Sequence, residues 1–325
     1  MIGHPLASGG NMKFKPLRIG NLEARIPIIQ GGMAVKISTA PLAAAVANEG
    51  GIGVIAGTGM TLEELAVEIR KARELSKGII GVNVLFAVNN FADLVKTAIK
   101  EGIDLVISGA GFSRDMFAWG KESNTPIIPI VSSAKLAVMA EKLGAAAVIV
   151  EGAEAGGHLG TDRSMRDILP EVRAAVKLPV IGAGGVIDGK DMAEILRLGA
   201  DGVQMGTRFA ASEESNASDE MKALYLAAEA EDVTLVKSPV GLPGRGIKNA
   251  FLERAESGQV VIENCVNCLK RCSHNFCIMD ALENAKRGGD FNRALIFSGS
   301  NVPRIKEILP VKEIFRRVLS ELEEA

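Results

Sequence analysis

Val148-Ile-Val-Glu-Gly-Ala-Glu-Ala-Gly-Gly-His158-Leu-Gly160 is an apolar run that ends in an acid, two adjacent glycines and a histidine. The β-branched run reads as a short buried strand stopped by Gly152. Gly156-Gly157 lets the backbone turn and approach another group closely. His158 stands just past that turn. A side chain that titrates near neutral pH is thereby delivered to a strand end beside bare backbone. The pattern points to a flat or phosphorylated ligand with an acid–base residue over it; a glycine turn with a surface histidine is the plainer alternative.

Working outward, similar apolar runs recur at Pro27–Gln30, Gly53–Ala56, Gly81–Leu85, Leu105–Ser108, Ile127–Val131, Pro179–Ala183 and Gly202–Met205. Helical patterns lie between them, at Thr61–Leu75, Phe91–Lys100, Ala134–Leu143, Ser164–Val176 and Gly189–Leu198. Leu62, Leu65, Ile69, Ala72 and Leu75 keep one helical face apolar. Thr61 with Glu64 three residues on is a capping-box pattern. Glu49-Gly50, Leu143-Gly144 and Leu198-Gly199 read as helix stops. The strands are continuously apolar, as parallel strands covered by helices are. Eight such units in about 180 residues match a (β/α)8 barrel. A doubly wound sheet is the competing architecture and does not require that number.

A barrel builds its site from the loops after the strands. Here those loops are Gln30-Gly-Gly-Met33, Gly57-Thr-Gly59, Asn83, Ser108-Gly-Ala-Gly111, Ser132-Ser133, Gly152–His158, Gly184-Gly185 and Gly206-Thr207. Small residues at nearly every strand end favour a ligand across the mouth, met by backbone N–H groups. Gly184-Gly185 and Gly206-Thr207, after strands seven and eight, lie where barrels hold a phosphate. A phosphate there with a flat ring toward the centre describes FMN. No P-loop occurs, and no early G-x-G-x-x-G opens a helix.

Composition narrows the class. The chain has 325 residues, 47% of them hydrophobic and 23% charged, with net charge −2. No basic field points to nucleic acid. One Trp and one Tyr make a base-stacking surface unexpected. No apolar run approaches the roughly 18 residues of a membrane span. The start lacks the basic and apolar regions of a signal peptide. Residues 1–11 read as a tail or expression remnant before Met12. A cytoplasmic enzyme acting on a small molecule is expected, with a homodimer as one option for its assembly.

Taken together, Gln30-Gly-Gly-Met33, Gly81-Val-Asn83, Glu151-Gly-x-Glu-Ala-Gly-Gly-His-x-Gly160, Ala183-Gly-Gly-Val186 and Gln204-Met-Gly-Thr-Arg-Phe209 resemble the nitronate monooxygenases, formerly 2-nitropropane dioxygenases. They equally resemble the flavin-dependent enoyl-acyl-carrier-protein reductases. The resemblance covers about residues 14–250. It implies a TIM barrel (residues 12–211 and 291–325) with FMN at its mouth and a smaller lid (residues 212–290) inserted after strand eight. By motif, Gly31, Gly32 and Met33 would lie along the isoalloxazine, and Asn83 would reach its polar edge. Gly156 and Gly157 would approach the flavin. Gly184, Gly185, Gly206 and Thr207 would hold the phosphate. Ser108 and Glu151, at strand ends, complete the candidate cofactor set, and His158 would be the catalytic base or acid. Glu213–Ala217 and Gly246–Asn249 also resemble the reductase branch. That branch has histidines after Ser-Asn-Ala and before Ile-Lys-Asn, where this chain has Ser218 and Pro239–Arg245.

All four cysteines, Cys265, Cys268, Cys272 and Cys277, fall within 13 residues. Such spacing suits one metal or redox site better than a disulfide framework. An iron–sulfur cluster, zinc and unliganded thiols all stay open. The core spacing is analogous to the [4Fe–4S] motif of flavin-containing dienoyl reductases. His274 inside the cluster is expected to face solvent. The tail Ile305–Glu324 has helical spacing and is expected to pack on the barrel, while Ala294–Asn301 is expected to return the chain to the flavin's exposed edge.

The first functional expectation is an FMN-dependent nitronate monooxygenase that yields a carbonyl compound and nitrite. The second is an NAD(P)H-dependent enoyl-thioester reductase. A flavin/iron–sulfur electron-transfer subunit is the alternative from another class.

Overall fold

A computed structural model describes residues 14–325; the expected 1–11 tail lies outside them. Strands Ile28–Gln30, Ile52–Ala56, Ile79–Leu85, Leu105–Gly109, Ile127–Val131, Val148–Glu151, Val180–Ala183 and Gly202–Met205 pair in parallel, and the last returns to the first. The barrel is therefore closed with eight strands. The open doubly wound sheet is excluded.

Alternation along each strand builds two apolar layers. Ile29, Val54, Ile107, Ile128, Ile149 and Ile181 fill the interior. Val82, Val106, Val148, Val150, Val180 and Val203 face the helices. The hairpin of Leu17–Ile19 and Leu22–Ala24 adds Leu17, Ile19 and Ala24 to the interior cluster. Burial of this kind is the main source of stability, at about 25 cal/mol per Å² of apolar surface.

Helices Phe91–Lys100 and Ala134–Leu143 take the expected bounds. The Thr61 capping box forms in full. Gly144 and Gly199 stop their helices at φ of 96° and 101°, the left-handed conformation that glycine permits. The tail helix is shorter than expected, Val311–Glu324. Pro310 disfavours helical backbone at the residue before it, so the helix begins only after it. This helix packs against Gly189–Arg197 and Ala40–Asn48, the place of the barrel's eighth helix.

Between strand eight and that helix the chain leaves the barrel near Ser212 and returns at Leu309, where the two residues bridge. The excursion holds helices Asp219–Ala227, Ala250–Glu256 and Ile278–Arg287. It also holds the antiparallel pair Val233–Lys237 and Pro243–Ile247. Gly157–His158, expected as a turn, is a short strand added to that pair. A backbone ladder thus connects the excursion to the loop that carries His158. Among the described residues, no helix is long and apolar enough to cross a membrane.

Helix–strand contact is closest at Gly53, where an added Cβ would stand 1.8 Å from the Ala43 carbonyl oxygen. Both atoms belong to packed backbone. Gly53→Ala is expected to cost about 3 kcal/mol or more. Urea unfolding checks this, and an unchanged midpoint would refute the packing argument.

Candidate active site

Two connected cavities open at the carboxyl ends of the strands. The smaller, about 120 Å³, lies between Gly31–Met33, Gly184–Ile187 and Gly206-Thr207. The larger, about 210 Å³, extends outward under residues of the excursion. Gly32, Met33, Asn83, Glu151, Gly156, Gly206 and Thr207 line both.

The smaller cavity is a backbone cradle. Gly184 and Gly185 take successive positive φ of 111° and 71°, backbone that glycine adopts at no steric cost and that leaves this turn bare of side chains. The helix Thr207–Ala210 starts at Gly206 without a side-chain cap. A Cβ at Gly206 would meet no protein atom within 4 Å. The buried Gln204 Oε1 in this cavity has no hydrogen-bond partner. Open space, uncapped N–H groups and an orphaned acceptor together fit a cofactor with a phosphate and ring N–H groups. The expected segment 294–301 does return here: Asn301 Nδ2 donates to Gly185 O at 2.6 Å, and Gly299 N donates to Thr207 Oγ1 at 2.9 Å.

The glycines have different reasons. At Gly156 a Cβ would meet Ser298 C at 2.6 Å and Gly299 N at 2.7 Å. At Gly32 it would meet Asn83 Cβ at 2.4 Å. Chain passing over chain therefore accounts for these two, in addition to any ligand. Gly157 lines only the larger cavity, with φ of 84°.

His158 is fixed from two sides. Its Nε2 is 2.9 Å from Ser238 Oγ, and its ring stands edge-on to Phe297 at 5.2 Å. Ser238 Oγ also accepts from Val240 N at 3.3 Å, which fixes the hydroxyl beside the ring. Nδ1 is the ring nitrogen left for a ligand, and it carries the hydrogen in the tautomer in which Ser238 donates to Nε2. Burial lowers the His158 pKa to about 4. The imidazole is therefore neutral at neutral pH, unlike the near-neutral titration expected from sequence. Burial raises the Glu151 pKa to about 8, so this carboxyl keeps its proton at neutral pH. Tyr225 is also pushed up by burial, and its hydroxyl donates to Phe297 O at 3.0 Å. Among the described residues, no lysine or arginine lines either cavity.

Glu151 makes a stability prediction. A raised carboxylate pKa means the folded state holds a proton the unfolded chain has released. This contribution is fully present below about pH 4.5 and is lost as pH rises through about 8. Glu151→Gln removes the dependence. Without cofactor, the variant's Tm advantage over the parent should grow by a few degrees between pH 5 and pH 8. An equal difference at both pH values would contradict the burial argument.

Ser108 is the site residue that the structure places elsewhere. It is fully buried, and its Oγ donates to Gly111 O at 2.7 Å, closing the turn after strand four. It lines neither cavity. Sequence reasoning missed Ser238, Phe297, Gln204 and the apolar wall formed by Met221, Tyr225, Leu269, Ile278 and Leu282. Gln204 sat inside a quoted motif, whereas Ser238 and the wall come from the excursion and carry no local signal.

Cys265, Cys268, Cys272 and Cys277 are all free and line a third, separate cavity. Burial raises the Cys268 thiol, and the three other cysteines add to that shift. His274 is exposed, as expected. Among the described residues, no three His, Cys, Asp or Glu side chains gather around a single ion position.

A closed parallel barrel with a glycine cradle and an uncharged acid–histidine pair at its mouth defines a cofactor-dependent enzyme of the barrel class. The comparisons give the family. A family model described as nitronate monooxygenase matches residues 15–321. The chain belongs to that family of flavin-dependent oxidoreductases.

A 5-hydroxy-7a-methyl-1-oxo-octahydro-indene-4-carboxyl-CoA dehydrogenase of Mycobacterium tuberculosis is 36% identical over 71% of this chain and 66% of its own length. The match thus spans slightly less than two thirds of that relative. A probable nitronate monooxygenase of Staphylococcus aureus is 30% identical, over 71% of this chain and 78% of its own. The structure of FabK from Thermotoga maritima superposes with a TM-score of 0.82 at 34% identity, covering 92% of this chain and 93% of that one. The nitronate and enoyl-reductase readings are both consistent with the family.

Proposed function

We propose that this chain is an FMN-dependent, NAD(P)H-using reductase of α,β-unsaturated acyl thioesters. The observation that carries the choice is the chamber beside His158. Met221, Leu269, Ile278, Leu282, Leu295 and Phe297 make it apolar, and among the described residues no cationic side chain lines it. A nitronate anion brought there would be desolvated without a counter-charge, which is costly. A neutral enoyl thioester with a hydrocarbon tail meets no such penalty. The carboxyl-CoA named for the M. tuberculosis relative is a saturated acyl thioester, which shares the thioester group and the bulky apolar acyl part but not the double bond.

Bound FMN would supply two-electron hydride chemistry. Gly184, Gly185, Gly206 and Thr207 would hold its phosphate through backbone N–H groups. Gly31, Gly32, Met33, Asn83 and Gln204 would orient its ring. Neutral His158, in the tautomer that carries its hydrogen on Nδ1, would donate a hydrogen bond to the thioester carbonyl as negative charge builds there. Glu151 holds the titratable proton that the α-carbon must receive. Ser238 and Phe297 act as positioning residues for His158. The apolar wall excludes water.

The test of Glu151 is a pH profile. Turnover should fall as pH rises through about 8, the value to which burial raises Glu151. Glu151→Gln should lower turnover and flatten that limb. A profile unchanged in the variant would remove Glu151 from the reaction.

Nitronate oxidation is the second reading, supported by the family model over residues 15–321 and by the S. aureus relative. An electron-transfer subunit would have no use for a substrate-sized apolar chamber beside the cofactor cradle. A cytoplasmic location and a homodimer remain part of the proposal. The cysteines are proposed as a metal centre, on grounds independent of the substrate.

A further inference from the structure

We infer that Cys265, Cys268, Cys272 and Cys277 form the binding site of a cubane iron–sulfur cluster set directly behind the substrate chamber. All four thiols line one cavity, walled by Ile262, Val266, Leu269, Phe276 and Ile278. None is spent on a disulfide.

The loop is held in place from outside rather than by regular secondary structure. Asn89 N donates to Cys268 O at 3.0 Å, and Asn89 Nδ2 donates to Asn267 O at 2.5 Å. Lys270 N donates to Ala87 O at 2.9 Å, while Lys270 Nζ donates to Phe86 O at 2.6 Å and sits 3.7 Å from the Phe86 ring centroid. On the far side, Ser273 N donates to Pro239 O at 3.1 Å and Asn275 Nδ2 to Lys237 O at 2.8 Å. Within this frame two non-glycine residues, Asn267 and His274, take left-handed φ of 48° and 56°. Such backbone costs about 1 kcal/mol or more and persists where the surroundings impose it. One lies between the first and second cysteines and the other between the third and fourth. His274 N donates to Cys272 Sγ at 3.4 Å, which holds this sulfur in place.

The number of thiols and their shared cavity point to the ligand. A structural zinc needs four sulfurs at about 2.3 Å from one point, and no three ligand-type side chains among the described residues are so gathered. In a cubane cluster each thiolate binds a different iron at a separate corner. Four thiols lining one cavity match the four corners of the cluster one for one.

The location ties the site to the chemistry. Leu269 and Ile278, each following a cysteine, line both this cavity and the chamber beside His158. One layer of side chains separates the two spaces.

The experiment is anaerobic purification of the full chain from cells supplied with iron and cysteine. Iron, zinc and acid-labile sulfide are assayed, and electron paramagnetic resonance spectra are recorded after dithionite. About four irons and four sulfides per chain are expected, with a reduced-state signal distinct from a flavin radical. The double variant Cys268→Ser/Cys272→Ser should lose iron and sulfide together while keeping FMN. Zinc without sulfide in the parent protein would overturn the inference. So would a metal-free parent whose four thiols react freely with a disulfide reagent. Parent composition decides the question even if the variant fails to fold.

Discussion

His158→Ala is expected to bind FMN as the parent does and to lose roughly 10²-fold or more in turnover, the scale of a lost acid–base or polarising group. His158 lines the chamber but not the cradle, so cofactor affinity and catalysis should separate. Ser238→Ala supplies the graded control. It removes the 2.9 Å partner of Nε2 and leaves the ring against Phe297, so a smaller loss is expected, about 3- to 10-fold. Because His158 is neutral down to about pH 4, its protonation should not shape activity between pH 6 and 8. Steady-state kinetics with flavin content measured on the same sample checks these points. Full turnover in His158→Ala would remove the histidine from the mechanism.

The second large effect concerns the cradle. Gly206 has an ordinary negative φ, −101°, and a Cβ there touches no protein atom within 4 Å. Gly206→Leu should therefore fold with an unchanged apoprotein Tm. The added side chain would occupy the space assigned to the cofactor. FMN affinity should fall by about 10²-fold or more, a difference of about 3 kcal/mol. Titration of the apoprotein with FMN, followed by flavin fluorescence, measures this. Wild-type affinity in a well-folded Gly206→Leu would mean the cofactor binds elsewhere. Gly156 makes a useful contrast, since a Cβ there strikes the backbone of Ser298 and Gly299. Substitution at Gly156 should disturb folding and binding together.

The barrel was legible because its signals are local. Each strand is a short apolar run, and each helix carries its own cap, as Thr61 and Gly144 illustrate. Most cofactor residues were legible for the same reason, since strand ends and glycines mark the mouth of a barrel. Ser108 misled because a small polar residue at a strand end can equally close its own turn. The tail helix was drawn too long because apolar spacing runs through Ile305 and Ile308, whereas Pro310 sets the start.

The rest depends on contacts distant in sequence. Ser238 meets His158 across 80 residues, and Phe297 reaches the same ring from the far end of the excursion. The acidity of the site was also hidden. His158 and Glu151 have unremarkable intrinsic pKa values, and only burial separates them to about 4 and about 8. The charge of the chamber is likewise a property of the assembled wall, and it bears directly on the substrate.

The most direct test is an anaerobic absorbance titration of the FMN-reconstituted protein. NADH or NADPH is added first, and a short enoyl thioester after it. Bleaching of the visible flavin band by a nicotinamide nucleotide, then its recovery on adding the thioester without oxygen, is the predicted result. Bleaching by an alkyl nitronate but by neither nucleotide would contradict the thioester proposal and leave nitronate oxidation as the function.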